Sequence, residues 1–296
     1  QIDTGGSVTG NNFVYGAAST LVVNTTVTVA NTDPYWPISG PFNVTVMSGA
    51  GLTMNSANRT VNGIFQTAAG VTLTTSTLTL SGTCQINSGG FFLNTPTYTG
   101  TSTLVYNSGG SYTASNEWTG TTTIAGLGIP QNVTIQNGTA LTMSAGVRAM
   151  AGNMNINSSS SLTLSATTLS NLIIGGNIAI NSGSLDLGNT NDLTIVGNWT
   201  RSLNGTSFFP NSRTVNFNSN SGTHIITFTG GTETFFDIKV GGTSNTLRLG
   251  TDTDIVITGG NLYGLFLTSQ NAIVDLNGRT LQFTNNALIN CGSSTV

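Results

Sequence analysis

The residues able to do chemistry are few: ten acidic and seven basic side chains, one histidine and two cysteines in 296 residues. Asp252 and Asp254, in TDTDIVI, lie two apart on what reads as a strand, so they share a face and meet the arrangement that acid and base cleavage of a glycosidic bond would use. The competing reading is an outward polar edge beside inward Ile255 and Ile257. Asp186 and Asp275 favour that reading, because they recur in LDLGN and VDLNG at the middle of an apolar triplet, an outward turn or ladder position. His224 is the single histidine, which excludes a multi-histidine metal site and leaves one base for a Ser/His/Asp triad. Its segment, His224-Ile-Ile-Thr-Phe228, is itself a strand, so a solvent-facing or hydrogen-bonded histidine is the simpler expectation. Calcium repeats of the GGxGxD kind and EF-hand loops are absent from the sequence, and no cofactor or metal is expected. The large aromatics Tyr35, Trp36, Tyr112 and Trp118 fall in irregular stretches and are expected to be exposed contacts for a glycan or a partner.

The elements that must position these side chains are short strands. In residues 175 to 202, Ile178-Ala-Ile180, Leu185-Asp-Leu187 and Leu193-Thr-Ile195 each place two aliphatics one residue apart, both pointing to one face. Gly, Asn and Ser cut the triplets into tight turns. Gly152, Gly176 and Gly197 recur at 24 and 21 residues, and a period in that range built of strands reads as one turn of a parallel β-helix. The asparagines after glycine, Asn153, Asn177, Asn198 and Asn261, are expected to stack into an amide ladder. Only 6% of residues are charged, Gly contributes 38, and Asn, Thr and Ser disfavour helix interiors. The expected fold is therefore all-β, a single-stranded right-handed parallel β-helix of about 20–24 residues per turn. At about 22 residues and 4.8 Å per turn, the chain forms about 13 turns over roughly 65 Å.

A longer repeat overlies the turns. STLVVN at 19–24 recurs as STLVYN at 102–107, and residues 41–63 match residues 130–152, with Asn-Val-Thr, Leu-Thr-Met, Arg and Gly in register. A weaker third copy begins near Thr214-Val-Asn-Phe217-Asn218. The chain thus reads as one continuous solenoid of blocks 19–101, 102–212 and 213–293, with a further repeat starting at 294. Irregular excursions are expected at 31–42 and 107–130, where prolines lack a ladder donor. Cys84 and Cys291 lie about nine turns apart, far beyond disulfide reach, and read as two buried small hydrophobes. A net charge of −3 with one lysine, Lys239, leaves no electrostatic footprint for nucleic acid, and no apolar run is long enough for a membrane span.

The segments GGNIAINSGSLDLG, VGNWTRS, RTVNFNSNSGTHIITFTGGTETFFDIKV and STLVYNSGGSYTASNEW resemble the extracellular repeat regions of adhesin-like, β-helical surface proteins of Bacteroidota, often exported by the type IX route. The resemblance covers most of the chain. It implies an extracellular or cell-surface adhesin, stalk or filament segment, whose partners are other repeats of the same protein, end-to-end copies of itself, or glycans and cell-surface partners. The sequence departs from the type IX pattern in showing no recognisable C-terminal sorting domain. The function expected from the sequence is a non-catalytic structural and adhesive module. The alternative is a carbohydrate-binding or polysaccharide-degrading β-helix using the aromatic excursions and scattered aspartates.

Overall fold

The computed structural model describes residues 1–4, 10–38, 40–165, 168–203, 206–259, 264–268 and 271–292. Apolar triplets become strands of 2–7 residues, and every strand pair is parallel, each strand meeting its counterpart one turn on. Among the described residues there is no helix, hence none long and apolar enough to cross a membrane. The expectation of an all-β parallel solenoid is met, with about 11 turns rather than 13. The difference comes from unequal turns: Leu104 pairs with Val133 and Trp199 with Ile226, steps of 29 and 27 residues, because loops add length without adding a rung.

Each full turn contributes a strand to three faces. The first face is one 12-stranded sheet running from Thr20–Val23 to Ile273–Asp275. The second face is divided into sheets of four, five and three strands, and the third into sheets of three and seven. Alternation along each strand sends one side chain in two to a continuous core, as at Ile178, Ile180, Leu185, Leu187, Leu193 and Ile195, all fully buried. The last turn has no rung beyond it among the described residues, and Ile273, Leu288 and Ile289 are left exposed there.

The Asn ladder forms, with a different acceptor scheme from amide on amide. Asn132 Oδ1 accepts from the Asn153 backbone N–H at 3.0 Å, Asn153 Oδ1 from Asn177 N–H at 2.9 Å, Asn177 Oδ1 from Asn198 N–H at 2.8 Å, and Asn198 Oδ1 from Ile225 N–H at 2.8 Å. Each bond ties one turn to the next and contributes about 1 kcal/mol. The preceding glycine is required by the same contact: a Cβ on Gly176 would lie 2.6 Å from Asn153 Oδ1, and one on Gly197 only 2.4 Å from Asn177 Oδ1. Asn261 lies outside the described residues, as does the fourth copy expected from 294.

The first two blocks occupy matching faces. Asn43–Val46, Gly51–Asn55 and Arg59–Val61 take the first, second and third faces in order, and Asn132–Ile135, Ala140–Met143 and Arg148–Met150 do the same. The third copy does not follow: Thr103–Asn107 is on the first face, whereas Thr214–Ser219 is on the third. Both segments are apolar-alternating strands, and a short strand motif carries no label for its face.

Candidate functional site

The expected chemistry fails first at the aromatic excursions. Trp36 and Trp118 are 0% exposed, and Tyr35 and Tyr112 are half-buried, so none is an open platform for a sugar. The reason is a plug that recurs in both blocks. At Trp36 and again at Trp118 the chain omits its third-face strand, and the indole fills the core space that strand would occupy. The arginine opening the next third-face strand then closes the exposed backbone. Arg59 Nε donates to the Trp36 carbonyl at 2.6 Å, and its other nitrogens donate to the Ala30, Asn31 and Asn58 carbonyls. Arg148 Nε donates to the Trp118 carbonyl at 2.7 Å, and Nη1 donates to the Ser144 carbonyl at 2.6 Å. The rest of the second excursion folds back on the preceding third-face strand. Tyr98 N–H donates to Gly126 O, and an antiparallel bridge joins Thr97 to Leu127, which covers a free sheet edge.

Below the second plug lies a buried polar cluster. Glu117 Oε1 accepts from Tyr106 OH at 3.0 Å and from Ser115 N–H at 2.9 Å, while Oε2 has no protein donor. Burial pushes its carboxyl above the usual glutamate range, against the lowering effect of those bonds and of Arg148. Tyr112 packs against Tyr106 with centroids 5.4 Å apart and the rings tilted by 50°, and burial raises its phenol. Glu117 and Tyr106 are both 0% exposed, so the carboxyl and its phenol partner lie in the interior.

The remaining expectations divide by place. Asp254 Oδ1 accepts from Thr280 N–H at 2.8 Å and lies 3.4 Å from Arg279 Nε one turn on, so it ties turns together; Asp252 is exposed in the turn before the strand. Asp186 and Asp275 each accept from the backbone N–H two residues on, at 2.8 and 2.9 Å, the turn role that their recurrence suggests. His224 is buried, its Nδ1 2.9 Å from Gly197 O and its Nε2 3.2 Å from Ser219 Oγ; its second partner is a serine and no carboxylate orients the ring. Cys84 is buried as expected, but Cys291 is exposed, since it ends the final third-face strand where no later described turn covers it. Both cysteines are free. Among the described residues no three His, Cys, Asp or Glu side chains gather as a metal site would require.

One open site does converge, and it lies on the outer side of the third face. Register stacks Thr194, Asn216, Lys239 and Phe266 in one outward row, and Asp192, Thr214 and Asp237 in the row beside it. Two adjoining cavities of about 410 and 360 Å³ share Asp192, Thr214 and Asp237. Asp237 forms the floor. It is 2% exposed, its Oδ2 is 3.5 Å from Thr214 Oγ1, and its Oδ1 has no protein donor. Burial raises its carboxyl from the ordinary 3.8 to about 6, and the nearby Asp192 charge pushes in the same direction against bonds from Thr214 and Gly264. Asn216 Oδ1, one strand back, is likewise buried without a donor. A buried acceptor lacking a partner costs about 1–3 kcal/mol, and here two face one groove. Asp192 itself is held by Arg213 Nη2 at 2.7 Å.

This groove is not legible in the sequence. Its lining comes from outward positions of successive turns separated by 22, 23 and 27 residues (194, 216, 239, 266), and Asp192 and Thr194 belong to the stretch that reads as scaffold alone. Only the register brings them together. No protein-family model, curated protein or solved structure matches the chain.

Proposed function

We propose that the chain is a non-catalytic structural and adhesive module, a rigid segment of a secreted or cell-surface protein. The observation that carries this reading is where the charges go. All four ion pairs among the described residues join neighbouring turns: Arg201 with Glu233, Arg213 with Asp192, Arg248 with Asp275, and Arg279 with Asp254. The Asn ladder and the two Trp–Arg plugs serve the same end, so most of the chain's sparse polar chemistry holds one turn to the next. A rod built this way is held together turn by turn, since each turn contacts only its neighbours through parallel ladders. Its extent from first to last first-face strand, eleven steps of about 4.8 Å, is about 53 Å. The apolar residues exposed on the last turn are of the kind that a further turn, or an end-to-end copy, would cover.

Catalysis is the competing reading, and Asp192 with Asp237 is its best foothold. The two residues sit two rungs apart, about 9.6 Å along the rod, and Asp237 has a raised carboxyl. Against catalysis, Asp192 is held by an arginine at 2.7 Å. The test is adhesion under flow of beads carrying the chain to immobilised polysaccharides and cell-surface material, with soluble products assayed in the effluent. Adhesion without product release supports the module. Product release that a single Asp→Asn change abolishes overturns it.

A further inference from the structure

We infer that the third-face groove is a binding site for a neutral, polyhydroxylated chain, a glycan lying along the rod axis over Thr194, Asn216, Asp237, Lys239 and Phe266. The inference rests on the adhesive reading and gives it a ligand class.

Three observations select that chemistry. First, the groove offers acceptors that the protein leaves without donors. Asp237 Oδ1 and Asn216 Oδ1 are both buried and unpartnered, on neighbouring strands, and Asp237 is nine-tenths buried or more and lines both cavities. Buried acceptors are costly to leave unpaired, and hydroxyl groups supply donors in the number and direction needed. Second, the charges cancel. Asp192 and Asp237 face Arg213 and Lys239, two of each sign, so the groove has no net field to hold a divalent cation or a polyanion. The Asp192–Arg213 pair takes one carboxylate further out of consideration as a metal ligand. Third, the shape suits a chain. The lining spans the strands from Leu193–Ile195 to Gly264–Leu267, three rungs or about 14 Å, and half-buried Phe266 adds an apolar surface beside the polar rows. Lys239 has no ion pair among the described residues and contributes a donor to the same row.

The ligand field is therefore mixed: acceptors at Asp237 and Asn216, a donor at Lys239, and an aromatic edge at Phe266. Ligand pockets use a few placed polar groups beside an apolar surface in this way to fix orientation. The exposed carboxylates elsewhere lack these features. Asp275, for example, faces solvent with Arg248 and lies by no enclosed acceptor.

The test uses the whole chain. Wild type, Asp237→Asn, Asn216→Ala and the control Asp275→Asn are titrated with neutral hexasaccharides of glucose, mannose and xylose, with an oligogalacturonate, and with Ca²⁺ alone. Circular dichroism confirms the fold of each variant. The expected result is binding of at least one neutral hexasaccharide by wild type and Asp275→Asn. Asp237→Asn and Asn216→Ala should each bind it at least tenfold more weakly, and oligogalacturonate should bind no better than the neutral sugars. Absence of binding to every neutral sugar at millimolar concentration would overturn the inference, as would equal binding by all four proteins. Saturable Ca²⁺ binding lost in Asp237→Asn would overturn it in favour of a cation site. The same mixtures are assayed for new reducing ends. Their appearance would count against the non-catalytic reading, whereas absent binding by a folded chain would remove only the groove assignment.

Discussion

Replacing Arg148 by methionine should unseat the second plug at a cost that the structure allows to be worked out. The side chain is 6% exposed and its Nε and Nη1 donate to the Trp118 and Ser144 carbonyls. Methionine fills much of the volume but donates nothing. The Ser144 carbonyl belongs to a half-buried residue and can turn to water, so the main penalty falls on Trp118 O, within a fully buried residue. One orphaned buried acceptor costs about 1–3 kcal/mol. Removing the positive charge near Glu117 adds a smaller loss, limited because a carboxyl with a raised pKa takes up a proton readily. The sum is about 2–4 kcal/mol. Urea unfolding followed by tryptophan fluorescence gives the global value. Hydrogen exchange on Arg148–Met150 and Leu172–Ile174 reports local opening, which a repeat protein can undergo without unfolding throughout. Arg148→Lys should recover little, since an ammonium cannot reproduce the planar fork. Arg59→Met, the counterpart in the first block, should lose a similar amount. If both methionine variants stay within about 0.5 kcal/mol of wild type, the plug account is refuted.

Other consequences follow from the ladder and the buried acids. Gly176→Ala places a Cβ 2.6 Å from Asn153 Oδ1 and 2.8 Å from the Gly152 backbone, so it should destabilise by about 1–3 kcal/mol despite alanine's lower unfolded-state entropy; an unchanged or raised Tm would contradict this. Asp237 titrates higher folded than unfolded, so the native state holds the extra proton between pH 3.8 and about 6, and stability falls as pH rises through that window. The full shift is worth about 3 kcal/mol and screening from the open side of the groove lowers it to about 1–2. Asp237→Asn should therefore be more stable than wild type at pH 7 and show a shallower pH dependence in urea titrations. Glu117 shifts in the same direction, so Glu117→Gln should flatten part of the remaining slope.

The sequence disclosed the solenoid because its grammar is local. Ile178 and Ile180, or Leu193 and Ile195, sit two apart and bury together, and a strand needs no distant information to do so. The Gly-Asn pairs were legible for the same reason, although the acceptor scheme was not, since which donor meets Asn153 Oδ1 depends on how the next turn is seated. Trp36 and Trp118 misled because an aromatic in a Pro-rich, irregular stretch looks like surface. The signal that could have corrected this was the arginine following each one, Arg59 and Arg148, aligned in the duplicated segments. Arginine in an otherwise charge-poor chain has to serve something, and two conserved-in-register copies inside one chain point to a buried backbone partner. The groove was invisible because its members meet only after loops of unequal length have been threaded between the rungs.

The proposed activity is binding without conversion of what is bound. Its most direct test is a single incubation of the wild-type chain with insoluble neutral polysaccharides, in which the retained protein and the new reducing ends are measured together. The expected result is retention with no new reducing ends, and loss of retention in Asp237→Asn. New reducing ends from wild type that disappear in Asp237→Asn would contradict the account.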